Sequence, residues 1–168
     1  AQGRIAKVDV DVYQWIKLNA ECDLHLAPLT THIQRYLAYV SENPGWDFVF
    51  DIDIDNLRVA NSAGQVISGE PIAKYCRQEL TRAVGDRLIP IWHYLSDTPP
   101  YPKFKHLIEN YPYVGVGSDI SPTMRELRYL CDIAHRAGTL LHGLGTSRPD
   151  ILAVTPFDTV DSTTWLSV

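Results

Sequence analysis

The sequence predicts an α/β fold built around a parallel sheet, and three observations carry that expectation. Short, nearly all-apolar runs such as YVGVGS (113–118) alternate with stretches of helical spacing. The gaps between these runs are too long for hairpins but suit the crossovers that parallel pairing needs. Polar groups gather at one end of every apolar run, where ligands of parallel βα architectures bind. Right-handed crossovers of this kind build either an open sheet or a closed barrel. The 168 residues, 45% hydrophobic and 21% charged, suit one domain or part of one.

The elements follow in order. DVDVYQWIKLN and TTHIQRYLAYVSEN have the spacing of two amphipathic helices. WDFVFDID (46–53) reads as a first strand ending in carboxylates, and DIDNLRVANSAGQVISG as an irregular working loop, by its length. EPIAKYCRQELTRAV is a helix with Pro71 in its first turn. RLIPIWHYL (87–95) is the second strand, in which Pro90 is awkward because it lacks a ladder donor. YPKFKHLIENY is a short helix and YVGVGS the third strand. SPTMRELRYLCDIAHRAG has the clearest helical signature, with Ser121 as the expected cap, Pro122 at the first position and Gly138 as the stop. TLLHGLG and FDTVDS supply the fourth and fifth strands on either side of a short helix, SRPDILAVT. No repeat or low-complexity tract interrupts the series.

Charge and cysteine usage narrow the functional classes. Twenty acidic against 15 basic residues give a net charge of −5, and the absence of a basic stripe argues against polynucleotide binding by this segment alone. Cys22, Cys76 and Cys131 are odd in number and far apart, which supports neither a disulfide framework nor a zinc cluster and predicts a reducing, cytoplasmic compartment. No run approaches the roughly 18 apolar residues of a membrane span, and no charged-then-apolar leader is visible. The chain starts at Ala1, which predicts an excised segment.

The strand ends hold the candidate chemistry: Asp51, Asp53 and Asp55; Trp92, His93 and Tyr94; Gly117, Ser118 and Asp119; His142, Gly143 and Gly145; Asp161 and Ser162. Each has a plainer reading taken singly. A strand-end Asp161 caps a turn. Alternation puts Asp51, Asp53 and Asp55 on one face, as a solvated strand end or as three carboxylates around a cation. His93 and His142 read as packing histidines, and Cys76 and Cys131 as core. HGLGTS has the glycines of a phosphate cradle before a helix start. Trp92 and Trp165 stand where a planar ligand would stack.

Taken together, YVGVGSDIS, a helix, and then LLHGLGTSRPDILAVTPFDTVDSTTW resemble the tRNA-guanine transglycosylase (queuine tRNA-ribosyltransferase) superfamily. The wording is most similar to the shorter phage and bacterial members, which carry HGxG, a short helix and a closing VDSTxW. Element order matches along the whole chain, and the specific wording lies in its last third. The resemblance implies a TIM-barrel-like (β/α) fold, here an incomplete barrel with about five parallel strands, since a whole barrel takes about 250 residues. It implies a pentosyltransferase that replaces guanine in tRNA or DNA with a 7-deazaguanine through a covalent aspartyl-glycosyl intermediate.

Residue by residue, the resemblance assigns the nucleophile to Asp161, oriented by Ser162 and Thr163. Asp51 matches the aspartate that receives the guanine edge, and Gly117 the first glycine of a turn whose backbone faces the base. His142 takes the place of an apolar residue packed on the base. His93 falls near a glutamine that binds the base carbonyl. Ser118 stands where a second glycine is usual, which implies a narrower or more polar pocket. A DSGxF motif carrying a second essential aspartate is expected upstream, and a zinc-binding cysteine motif would follow Val168. Within the segment, no metal or other cofactor is expected. The implied partners are tRNA or DNA and a 7-deazaguanine base, with no membrane. Open strand edges predict self-association as a homodimer. Two alternatives stand beside this reading: a metal-dependent TIM-barrel hydrolase with Asp51, Asp53, His93 and His142 as ligands, and a non-catalytic remnant of the transglycosylase fold.

Overall fold

The structure, a computed structural model, describes residues 27–54, 58–60, 66–94, 97–117, 122–146 and 148–161. The chain divides into two compact units, Ala1–Gly85 and Asp86–Val168. The first expected helix, DVDVYQWIKLN, lies outside the described residues.

In the first unit, helix α1 (Ala27–Glu42) buries Ile33, Leu37 and Val40, the i, i+4, i+7 stripe that an amphipathic helix turns to a core. Strand β1 (Val49–Phe50) follows, and the Tyr36 hydroxyl donates to the Phe50 carbonyl at 2.6 Å. The segment read as an irregular loop instead contains a hairpin. Its strands β2 (Arg58–Ala60) and β3 (Val66–Ser68) pair antiparallel, with Val59 in register with Ile67. Helix α2 (Glu70–Val84) spans the residues expected, with Pro71 in its first turn and Ile72, Ala73, Cys76, Leu80 and Val84 buried. Gly85 ends it at φ 59°, a conformation that favours glycine.

In the second unit, Pro90 splits the expected second strand into β4 (Leu88–Ile89) and β5 (Ile91–Trp92). Proline removes a donor but keeps its carbonyl, which accepts from Gly115 N–H at 2.9 Å. Helix α3 (Pro102–Asn110) leads to β6 (Tyr113–Val116), α4 (Met124–Ala137) to β7 (Leu140–Gly143), and the one-turn α5 (Pro149–Leu152) to β8 (Thr159–Val160). Strands β5, β6, β7 and β8 form a four-stranded parallel sheet in that order, in register at Ile91, Gly115, His142 and Thr159. The protein is thus mixed α/β with parallel strands.

The cap of α4 is Thr123 rather than Ser121, and Pro122 lies before the helix. Thr123 and Glu126 form a reciprocal capping box, which satisfies two orphan N–H groups, whereas the residue three beyond Ser121 is Met124, which has no carboxylate to close such a box. Gly138 stops the helix at φ 81°, as expected.

One face of the parallel sheet carries the core. Trp92, Val114, Val116 and Leu141 pack with Phe104, Leu107 and Ile108 of α3 and Leu127, Leu130 and Cys131 of α4. Trp92 therefore faces the helices instead of standing ready for a planar ligand. It meets Phe104 edge-on at 5.0 Å, and its indole N–H donates to buried Asp97 at 3.1 Å. The same Asp97 oxygen accepts from Phe104 N–H at 2.9 Å, a capping role that the N-cap residue of α3, Tyr101, does not fill. Among the described residues no helix is long and apolar enough to cross a membrane.

Candidate functional site

The opposite face of that sheet is where the polar residues stand. Side chains alternate along a strand, so Trp92, Val116 and Gly143 point to the helices while their neighbours point away. The register then lines up Tyr113, Gly115, His142 and Thr159 on the far face. One further step places His93, Gly117, Leu144 and Asp161 at its carboxyl edge. Three backbone bonds hold that edge: Gly117 N–H to Trp92 C=O at 2.8 Å, Leu144 N–H to Val116 C=O at 3.0 Å, and Asp161 N–H to Gly143 C=O at 3.3 Å. Four strands with an apolar, helix-covered back thus carry two histidines, two hydroxyls and a carboxylate in front, while Leu144 covers Gly115 and His93 covers Gly117.

Asp161 has a side chain 56% exposed. Its Oδ1 accepts from Gly145 N–H at 2.5 Å and lies 3.6 Å from His142 Nε2, ion-pair range but beyond a direct hydrogen bond. No other partner of this carboxylate occurs among the described residues. The glycine turn read as a phosphate cradle does bind an anion, and the anion is the protein's own Asp161. Gly145 at φ 60° is the left-handed position of that turn.

His142 is buried, and its Nδ1 lies 2.6 Å from Thr159 Oγ1, which in turn is hydrogen-bonded to the Tyr113 hydroxyl. Burial holds the His142 imidazole below the usual histidine range, with the Asp161 charge pulling the other way. His93, also buried, lies against Gly117: a Cβ there would come within 2.6 Å of His93 Nδ1 and 2.7 Å of Cε1. The imidazole thus fills the direction that a side chain at 117 would take. Tyr94 turns its hydroxyl to Glu126 Oε1 at 2.7 Å, and Tyr101 adds a second bond to the same oxygen at 3.1 Å.

Asp51 belongs to the first unit and is described there. Its side chain is 1% exposed; Oδ2 takes Arg77 Nε at 2.5 Å and Oδ1 takes Ile52 N–H at 2.8 Å. The chain turns at once, with Ile54 N–H on Ile52 C=O at 3.0 Å, and Asp53 is exposed. Asp55, Ser118, Asp119, Ser162, Thr163 and Trp165 lie outside the described residues.

Within the second unit, then, Asp161 and His142 come together, His93 and Gly117 come together, and all four share one face and one end of the sheet. Thr159 and Tyr113 were absent from the sequence reading. The period-2 rule was the signal available for Thr159, two residues before Asp161, and for Tyr113, two before Gly115. A separate groove of about 650 Å³ on the helix side, lined by Arg128, Tyr129, Asp132, His135, Leu152 and Thr155, contains none of the predicted residues. Among the described residues no group of three or more His, Cys, Asp or Glu side chains is placed to hold a metal ion. No family model matches the chain, and neither does a curated protein or a solved structure.

Proposed function

We propose that this chain is part of a base-exchange transglycosylase on an incomplete TIM-barrel-like (β/α) fold, replacing guanine in tRNA or DNA with a 7-deazaguanine. The observation that supports it most is the state of Asp161: a carboxylate at the carboxyl edge of a parallel sheet, more than half exposed, with one oxygen tethered by Gly145 N–H and the other without a partner among the described residues. A carboxylate suits a reacting centre that develops oxocarbenium character, because its charge stabilises the centre before the bond to it forms. In the step proposed, Asp161 Oδ2 attacks the ribose C1′ and the C1′–N9 bond breaks with its electron pair on the purine. The N9 of the incoming 7-deazaguanine then displaces the aspartate. The proton that the incoming base loses balances the one that guanine gains, so no further reactant is needed. The target base must leave its stack to reach this edge, where the resemblance places His93 and Gly117 against it.

The test is a trapped intermediate. The full chain is incubated with guanine-containing tRNA or DNA and a deazaguanine analogue, denatured and examined for a protein–nucleic acid adduct by mass. The expected result is an adduct mapped to Asp161, present for one polymer and lost in Asp161→Asn. Failure of both polymers to form an adduct, or an adduct that survives Asp161→Asn, overturns the proposal.

A further inference from the structure

Two exposed faces, one on each unit, carry complementary chemistry. In the second unit the β7–β8 crossover holds only the four-residue α5, whereas the two crossovers before it hold helices of nine and fourteen residues. A short α5 leaves one flank of α4 without a helical neighbour, and the groove of about 650 Å³ lies there. Tyr129, Leu152 and Val154 line it, and they are 44%, 37% and 40% exposed. Two of its charged side chains are already matched: Arg136 holds Asp132 at 2.6 Å, and Asp158 holds His135 at 3.0 Å. Arg128 is exposed and has no ion pair among the described residues. Such a groove suits an aromatic group with a carboxylate beside it.

The first unit exposes a group of that kind. Tyr39 in the last turn of α1, and Trp46 and Phe48 just before β1, are 49%, 50% and 48% exposed. The Tyr39 and Trp46 rings meet at 6.3 Å with 41° between their planes. Glu42 follows Tyr39 by one turn, and Asp47 stands between the other two aromatics. Both carboxylates are exposed, and neither has an ion pair among the described residues. Single exposed rings are ordinary on a protein surface, but a cluster of them marks a face that another surface covers.

We propose that the aromatic, acidic face of one copy docks into the Arg128 groove of a second copy. Trp46 packs against Tyr129, Leu152 and Val154, and Asp47 and Glu42 face Arg128. Each copy offers one face of each kind, so the contact closes reciprocally in a dimer or ring, or runs on as an open chain. Charge disfavours pairing of the groove with itself, because the outer stripe of α4 carries exposed Arg125, Arg128 and Arg136 against Asp132. This association does not depend on the transglycosylase reading.

Sedimentation equilibrium of the full chain tests it, beside two double variants. One, Trp46→Ser with Asp47→Lys, spoils the aromatic face; the other, Leu152→Asp with Arg128→Glu, spoils the groove. The unaltered chain is expected to associate as its concentration rises from about 10 µM to about 1 mM, the range of weak interfaces. Each variant alone is expected to stay monomeric. An equimolar mixture of the two is expected to form a 1:1 dimer and nothing larger, because the mixture keeps one intact face of each kind. An unaltered chain that is monomeric throughout overturns the proposal, as does a mixture without dimer. Association that either variant leaves unchanged also overturns it, and points to the open strand edges instead. The altered side chains are all exposed, and circular dichroism checks the fold of each variant. Should one be unfolded, Asp47→Lys and Arg128→Glu singly take its place, each expected to weaken association about tenfold; no weakening in either overturns the proposal.

Discussion

Asp51 and Asp161 are both aspartates just past the end of a strand, and the protein treats them in opposite ways. Asp51 is enclosed, with Arg77 on one oxygen and a backbone N–H on the other. Asp161 is more than half exposed, with one oxygen held and the other without a partner among the described residues. Burial raises the cost of an unpaired charge, so Asp51 must be matched and its lone pairs are committed. Asp161, half in solvent, does not need full pairing by the protein. A carboxylate at a strand end is therefore no indication of a reactive group by itself; the number of its oxygens already engaged is the better guide. The contrast fits a structural role for Asp51 and the nucleophile's role proposed for Asp161.

The largest test of that contrast is to strand Asp51. Arg77→Ala leaves a carboxylate with a 1% exposed side chain short of its cation, and breaking a buried pair on one side costs about 3–5 kcal/mol. Arg77 itself is about one-fifth exposed, which places the expected loss at the lower end. Chemical denaturation of the variant measures it. Replacing both partners, with Asp51→Leu and Arg77→Met, is expected to recover part of the loss because no charge is then left unmatched. A single variant as stable as the unaltered chain would remove the structural role assigned to Asp51.

Next in size is Gly117→Ala, which tests whether the front face near Asp161 is built as tightly as the Asp51 pocket. The added methyl would meet the His93 ring at under 3 Å, and overpacking of this kind costs about 1–3 kcal/mol. His93→Ala in the same chain should restore most of it. A Gly117→Ala protein of unchanged stability would mean that His93 swings away freely.

Much of the scaffold was legible because its signals are local. Pro71 at a helix start, Gly138 at a helix stop and the apolar stripe of EPIAKYCRQELTRAV each act within one or two turns, and α2 and α4 follow from them. The misread parts involve competition between local signals or contacts across the sequence. Ser121 and Thr123 both suit a cap, and only the Glu126 partner decides between them. Pro90 punctuates a strand without ending the run. The Val59–Ile67 pairing joins residues eight apart across segments too polar to read as strands. At the site, alternation fixes which residues share a face. The Gly145–Asp161 bond, however, spans 16 positions and depends on a glycine turn meeting the next strand. Composition holds no trace of that contact, nor of Arg77 reaching Asp51 from 26 positions away.

A smaller effect separates helix capping from both aspartates. Thr123→Ala removes one half of the α4 capping box and should cost about 1 kcal/mol. The other half titrates: bonds from the Thr123 and Tyr94 hydroxyls and the Thr123 N–H lower the Glu126 carboxyl from its ordinary value of 4.5 to about 2. A depressed carboxyl contributes stability that is fully present above the ordinary value and lost as pH falls from about 4.5 toward 2. Glu126→Gln should therefore flatten the stability profile of the chain across that acid window. An unchanged slope would dissociate the cap from acid unfolding.

The smallest expected change in stability, and the one that most sharpens the comparison, belongs to Asp161→Asn. The amide oxygen still accepts from Gly145 N–H, and the lost charge was half in solvent. The stability change should stay within about 0.5 kcal/mol, the range of surface substitutions away from buried polar networks. The same variant is expected to form no covalent adduct, because an amide oxygen is too weak a nucleophile to displace a purine from C1′. Denaturation and adduct trapping on one preparation read both quantities. A loss above 1 kcal/mol would place Asp161 in the same class as Asp51, a carboxylate that the fold needs. A neutral variant without an adduct would show that the open oxygen at this strand end is retained for what it does rather than for what it holds.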